Sequence, residues 1–145
     1  MIDTLERLLS AHPRYAEALA CATQLASALL QHQDASGFWR TLIHDREAYL
    51  ETSTAAFIGG AFFRGTRLGI LPATYRPAAD RAWAALLSRV DRETGDVFGV
   101  SAWTHAGVTL DDSVSMYKSL PTEVNWWGQG CPLRIAAEVI RNDRT

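Results

Sequence analysis

A chain of 145 residues that is 48% hydrophobic and 21% charged has the composition of one ordinary globular unit, which excludes a disordered or collagen-like state. Fourteen Lys and Arg against sixteen Asp and Glu leave a net charge of −2, so the basic footprint of a nucleic-acid binder is missing and no nucleic-acid partner is expected. The longest apolar run, residues 55–63, falls far short of the roughly 18 residues of a membrane span, so no membrane partner is expected either.

Residues 2–9 read as the end of a helix, with Ile2, Leu5, Leu8 and Leu9 on its apolar face. Over residues 13–32 the positions Tyr15, Leu19, Ala22, Leu25 or Ala26, and Leu29 recur every three to four residues, one face of an amphipathic helix with Pro13 near its start. Residues 52–64 (TSTAAFIGGAFFR) are apolar all round, and such a helix is buried on nearly every side. The Gly59-Gly60 pair inside it costs roughly 1 kcal/mol per residue in helix propensity and predicts close packing. A second half-exposed helix follows over residues 75–90, with Pro77 in its first turn and Tyr75, Ala79, Trp83, Leu86 or Leu87, and Val90 on one face. A long loop then leads to a last helix over residues 132–141, with Pro132 in its first turn.

The order of these elements repeats. An amphipathic helix, a polar turn, aromatic or apolar residues, a loop and a further helix occur twice, with the turn residues Asp34 and Asp91 57 positions apart. This is the signature of helical hairpins that stack side by side, each burying its apolar face on its neighbour. No Pro, Gly or Ser stretch reads as a linker, so residues 1–145 are taken as a single unit.

Residues 34–54 hold a dense set of polar and aromatic groups, among them Trp39, Arg40, His44, Asp45, Tyr49, Glu51 and Ser53. One reading makes this loop a carbohydrate or small-molecule cleft, with Trp39 and Tyr49 as stacking faces and Glu51 at the mouth of the buried helix. The other makes Trp39 a cap on the core and Thr52 or Ser53 the N-cap, with Glu51 complementing the helix dipole. In residues 125–130 (NWWGQG) two adjacent indoles cannot face the same way, so Trp126 or Trp127 either lines a groove or packs under the last helix. His12, His32, His44 and His105 share no metal-ligand spacing, and Cys21 and Cys131 form no CxxC pair. No metal site or disulfide framework is expected, and a reducing, cytoplasmic location fits. Asp111 and Asp112 read as members of a solvated loop, and no G-x-S-x-G elbow occurs.

Residues 33–39 (QDASGFW), 49–56 (YLETSTAA), 65–71 (GTRLGIL) and 75–79 (YRPAA), with WGQG at 127–130 and AEVIR at 137–141, together resemble glycoside hydrolase family 88/105, the unsaturated glucuronyl and rhamnogalacturonyl hydrolases. The resemblance covers essentially the whole chain. It implies an all-α fold, a partial (α/α)6 toroid of about two helical hairpins plus the end of a preceding helix, forming the C-terminal segment of that domain. It implies an oligosaccharide partner carrying a terminal 4,5-unsaturated uronic acid, which the family removes by hydrating the enol-ether double bond, with no metal or organic cofactor. The family's acid/base Asp and its W-x-R-G-N-G-W-like motif lie earlier in the fold and match no residue here, so no catalytic residue is assigned. Implied substrate contacts are Trp39, Tyr49, Glu51, Ser53 and Trp126, with Thr52 beside them at the start of an inner helix. The chain is expected to be inactive alone and to self-associate through the open faces of an incomplete ring. The competing expectations are a non-catalytic carbohydrate-binding or assembly module built from toroid hairpins and, more remotely, a toroid epimerase, whose inner-helix histidines are not seen.

Overall fold

The computed structural model describes residues 1–8, 10–104 and 107–143; Leu9 and His105 lie outside them. In chain order the elements are α1 (Ile2–Arg7), α2 (Tyr15–Gln31), β1 (Trp39–Arg40), β2 (Leu50–Glu51), α3 (Thr52–Arg67), a 3-10 turn (Ala73–Tyr75), α4 (Arg76–Leu87), β3 (Val100–Ser101), α5 (Leu110–Ser119), β4 (Thr122–Glu123) and α6 (Trp126–Asn142). The strands form two antiparallel ladders of two residues per strand, β1 with β2 and β3 with β4. The first ladder leads directly into α3, and the second leads into α6 after two intervening residues, Val124 and Asn125.

The two passes of the repeat are plain in the turns. Asp34 Oδ1 accepts from the Ser36 amide at 2.9 Å, and Asp91 Oδ1 accepts from the amides of Glu93 at 2.7 Å and Thr94 at 3.1 Å. Each turn closes on a glycine with positive φ, Gly37 at 94° and Gly95 at 80°, a conformation that side chains resist. At Gly37 a Cβ would stand 2.4 Å from the Arg81 carbonyl oxygen, so this turn is also where the C-terminal part of α4 meets the first ladder.

Helix α3 is central, packed against both α4 and α6. Its buried residues include Ala55, Ala56, Gly59, Gly60, Phe62 and Phe63, as an apolar-all-round helix requires. The core joins them to Trp39, Tyr75, Ala79, Leu86 and Ile135. Trp39 and Phe62 meet edge to face at 6.0 Å between centroids, and Phe62 and Tyr75 at 5.1 Å, contacts worth about 0.5–1.5 kcal/mol each beyond their burial. On α2 the choice between Leu25 and Ala26 falls to Ala26, which is buried, while Leu25 is exposed.

Three expectations need correction. The last helix begins at Trp126, not at Pro132, because Asn125 accepts from the Gly128 amide at 3.0 Å and caps it there; the helix runs on through Pro132 at the cost of one backbone hydrogen bond. Asp111 and Asp112 are in the first turn of α5, not in a loop. Thr109 and Asp112 form a reciprocal capping box, with the Asp112 amide donating to Thr109 Oγ1 at 3.1 Å. The helix expected over residues 75–90 stops at Leu87, and Val90 instead bridges to Val97 across the Asp91 turn.

At their C-terminal ends α3 and α6 share an ionic cluster. Buried Glu138 takes Arg67 at 2.9 Å, Arg141 at 2.7 Å and Arg64 at 3.6 Å; Arg64 also pairs with Asp3 at 3.0 Å and with Glu6, and Arg134 pairs with Asp3. The cluster fastens α1 to both helices, and Arg64, Arg67 and Arg141 lie in last turns, where the helix dipole favours positive charge.

The glycine pair of α3 supplies a sharp test of packing. A Cβ on Gly59 would stand 2.7 Å from Ala82 Cβ, whereas one on Gly60 would lie at 3.6 Å from Ile135, ordinary contact. Gly60→Ala is expected to stabilise the fold by up to about 1 kcal/mol through helix propensity. Gly59→Ala is expected to destabilise it, since overpacking of about 1–3 kcal/mol outweighs that gain. Urea denaturation of the two variants against the parent chain checks the opposite signs.

Candidate functional site

The N-terminal ends of α3 and α6 lie side by side, and the residues that begin them meet at Ser101 on β3. The Ser101 amide donates to Glu51 Oε1 at 2.9 Å. Its carbonyl accepts from Asn125 Nδ2 at 3.1 Å and from Trp127 Nε1 at 3.2 Å. Its hydroxyl is 2.8 Å from the Tyr49 hydroxyl. One serine therefore ties the residue before the first ladder's return strand, the cap of α3 and the cap of α6 into one corner.

Glu51 is the cap of α3. Its Oε2 accepts from the Thr54 amide at 2.8 Å and from Ser53 Oγ at 2.7 Å, and the residue is 3% exposed. Neither Thr52 nor Ser53 serves as the N-cap: the Thr52 hydroxyl donates to the Phe98 carbonyl at 2.7 Å and its amide to Gly99 at 2.9 Å, crossing to the second repeat. Around this buried carboxylate, Tyr49 and Ser53 are half-buried at the surface. Trp126, 81% exposed, stands edge to face with Trp127 at 5.2 Å between centroids. Trp127 is the one held by hydrogen bonding, which leaves the Trp126 ring open to solvent.

Four of the five residues expected to touch substrate are thus brought to one corner: Tyr49 and Glu51 directly through Ser101, Ser53 through Glu51, and Trp126 through its neighbours Asn125 and Trp127. Trp39 is not among them. It is 0% exposed, its Nε1 donates to the Leu29 carbonyl at 2.7 Å and its ring packs on Phe62, so the stacking-face reading is overturned in favour of a core cap that joins α2 to α3. Ser101 escaped the sequence reading because nothing in V-S-A marks a serine that uses amide, carbonyl and hydroxyl at once. Asn125 did carry a signal, an Asn three residues ahead of the Gly128 amide it caps.

The surrounding loops are braced by ions. Arg40 bonds the Ala48 carbonyl at 2.6 Å and Asp34 at 3.2 Å, and Lys118 on α5 reaches across to Asp45 at 2.8 Å and Glu47 at 2.7 Å. The Ser36 hydroxyl and amide, with Arg40, hold the Asp34 carboxyl below the usual aspartate value, and Lys118 does the same for Asp45. Among the described residues no group of three or more His, Cys, Asp or Glu is placed to hold a metal ion, and no helix is long and apolar enough to cross a membrane.

The profile of Glycosyl Hydrolase Family 88 matches residues 1–143. The chain belongs to this family. Over 145 residues it is 30% identical to the unsaturated rhamnogalacturonyl hydrolase YesR of Bacillus subtilis (strain 168), a match that covers 99% of this chain and 39% of YesR. The crystal structure of a possible member of the GH105 family from Salmonella enterica serovar Paratyphi A superposes with a TM-score of 0.88 at 26% identity, covering 98% of this chain and 37% of that one. A possible GH105 member from Klebsiella pneumoniae gives 0.89 at 23% identity, over 98% of this chain and 36% of its own, and speaks for the fold alone. The family 88 chain thus spans well under half the length of these relatives, and its all-α architecture is a partial toroid of about two hairpins and the end of a preceding helix.

The corner depends on Glu51. Glu51→Ala leaves two backbone amides and a hydroxyl without their acceptor and is expected to cost roughly 3 kcal/mol. Thermal denaturation followed by circular dichroism measures it, and a loss below about 1 kcal/mol would mean that water replaces the carboxylate freely.

Proposed function

We propose that this chain is the C-terminal part of a glycosidase that removes a terminal 4,5-unsaturated uronic acid from pectin- or glycosaminoglycan-derived oligosaccharides, by hydration of the enol-ether double bond. The observation that carries the reading is the convergence of Tyr49, Ser53, Ser101 and Trp126 at the adjoining N-termini of two inner helices, in a chain of family 88. An indole face stacks on the CH face of a pyranose, and fixed hydroxyls orient its polar edge. Hydration needs an acid to protonate the double bond and a water to add at the neighbouring ring carbon, after which the hemiketal opens. In this reading the acid comes from the part of the family fold that this chain does not span, and residues 1–143 form one wall of the cleft. The chain is then inactive by itself, works in the cytoplasm, and self-associates through apolar side chains such as Phe57, Leu133 and Ile140, all exposed.

The openness of Trp126 also favours a second reading, a carbohydrate-binding or assembly module without catalysis. The two separate on one experiment. A lyase-generated unsaturated disaccharide is incubated with the 145-residue chain, alone and mixed with a polypeptide supplying the earlier hairpins of the family fold. Loss of the double bond's ultraviolet absorbance is followed. The glycosidase reading expects no turnover alone and turnover in the mixture, lowered at least about ten-fold by Trp126→Ala. Turnover by the chain alone contradicts its dependence on the missing hairpins, and binding of sugar without turnover in a folded mixture favours the module.

A further inference from the structure

A cavity of about 520 Å³ opens between the end of α2 and the loop that follows β1, lined among others by His32, Asp34, Arg40, Ile43, His44 and Arg46. No residue of the Ser101 corner lines it. Its volume falls within the roughly 300–1,000 Å³ of small-molecule sites and far exceeds the space of about 30 Å³ that one water takes, so it has room for an organic molecule and not only for a bare ion. The frame around it is held from within. Gln33 Nε2 donates to the Gly37 carbonyl at 3.0 Å and to the Ala78 carbonyl at 2.9 Å, Arg40 donates to the Ala48 carbonyl at 2.6 Å, and the Thr41 amide donates to the Tyr49 carbonyl at 3.0 Å. Ile43 packs on the core and gives the cavity an apolar wall. Walls already fixed lose little freedom when a ligand enters.

The acidic groups nearby are spent on other partners. Asp34 accepts from the Ser36 hydroxyl at 2.6 Å and amide at 2.9 Å and pairs with Arg40 at 3.2 Å. Asp45 and Glu47, which flank Arg46, are both taken by Lys118, at 2.8 and 2.7 Å. The last carbonyls of α2, which would repel an anion, meet donors of their own: Leu29 accepts from Trp39 Nε1 at 2.7 Å and the His32 amide at 3.2 Å, and Leu30 from the Gln33 amide at 3.5 Å. The basic groups, by contrast, are unused. His32, His44 and Arg46 are exposed, and among the described residues none of their side chains forms a hydrogen bond except to solvent, nor does Arg46 form an ion pair. Arg46 brings a permanent positive charge and a fork of N–H donors, and each imidazole brings at least one N–H donor in either protonation state.

We infer that this cavity binds a small organic oxyanion about the size of one sugar ring, a carboxylate or phosphate carried on a ring. Arg46, His32 and His44 take the anionic group, and Ile43 lies against the apolar side of the ring. A neutral sugar leaves the uncompensated Arg46 without a counter-charge, and a bare ion makes no use of the apolar wall. The inference stands on the cavity alone and does not depend on the glycosidase reading.

The test titrates four probes at pH 7 into the isotopically labelled 145-residue chain and follows them by NMR: galacturonate, galactose 6-phosphate, galactose and inorganic phosphate. At least one of the two sugar anions is expected to shift the amides of His32, His44 and Arg46 and the Arg46 Nε–H, with galactose and inorganic phosphate each at least about ten-fold weaker at the same signals. Which of the two sugar anions binds tighter tells a carboxylate ligand from a phosphate one. Arg46→Ala and His44→Ala, both at exposed side chains, are each expected to weaken that binding several-fold while the rest of the spectrum stays in place. Galactose binding as tightly as the sugar anions overturns the anion site, and inorganic phosphate binding as tightly overturns the organic ligand. Signals that none of the four probes moves, or binding unchanged in both variants, overturn the inference altogether.

Discussion

Glu51 brings a carboxylate to a position 3% exposed, where a charge without partners would be strongly destabilising. Its partners come from both repeats: the Ser53 hydroxyl and Thr54 amide from the helix it caps, and the Ser101 amide from the other ladder. Capping by an aspartate-like side chain is a local matter in most helices. Here the cap extends to a second unit, so the start of α3 cannot be ordered without β3 in register. The register of β3 in turn fixes the Ser101 carbonyl, from which Asn125 and Trp127 set the start of α6. The geometry of the whole candidate corner follows from that one buried charge.

The far ends of the same two helices are held differently. Glu138 gathers three arginines and reaches α1 through Arg64 and Asp3. Between the two polar ends the contact is apolar and close, with Gly59 letting α3 approach Ala82 of α4 and Ile135 of α6. Ionic and hydrogen-bonded ends set register, while the apolar middle supplies most of the stabilisation. This division leaves the indole of Trp126, 81% exposed, on the surface of the N-terminal corner.

Much of this was legible in the residues. The 57-residue spacing of Asp34 and Asp91 revealed the repeat, and the apolar girth of residues 52–64 revealed the buried helix, since periodicity and composition report burial directly. The motifs of the first hairpin located Tyr49, Glu51 and Ser53 at a helix start. What the sequence did not disclose is long-range pairing. Trp39 looks equally suited to a sugar or to a core until Leu29 and Phe62 are placed around it. Pro132 is a good first-turn residue, and only the Asn125 cap shows that the helix has already begun. Ser101 is silent because its role depends on partners 24 to 52 residues away.

Amide hydrogen exchange at Ser101 measures the joint between the repeats most directly. Ser101 lies on a ladder of only two residues per strand at the protein surface, and an amide there would ordinarily exchange quickly. Donation to the buried Glu51 carboxylate predicts protection comparable to that of the α3 amides around Phe62 and Phe63, lost together with the order of the corner in Glu51→Ala. Exchange of the Ser101 amide as fast as that of a solvent-exposed amide such as Arg92 in the Asp91 turn would contradict the account.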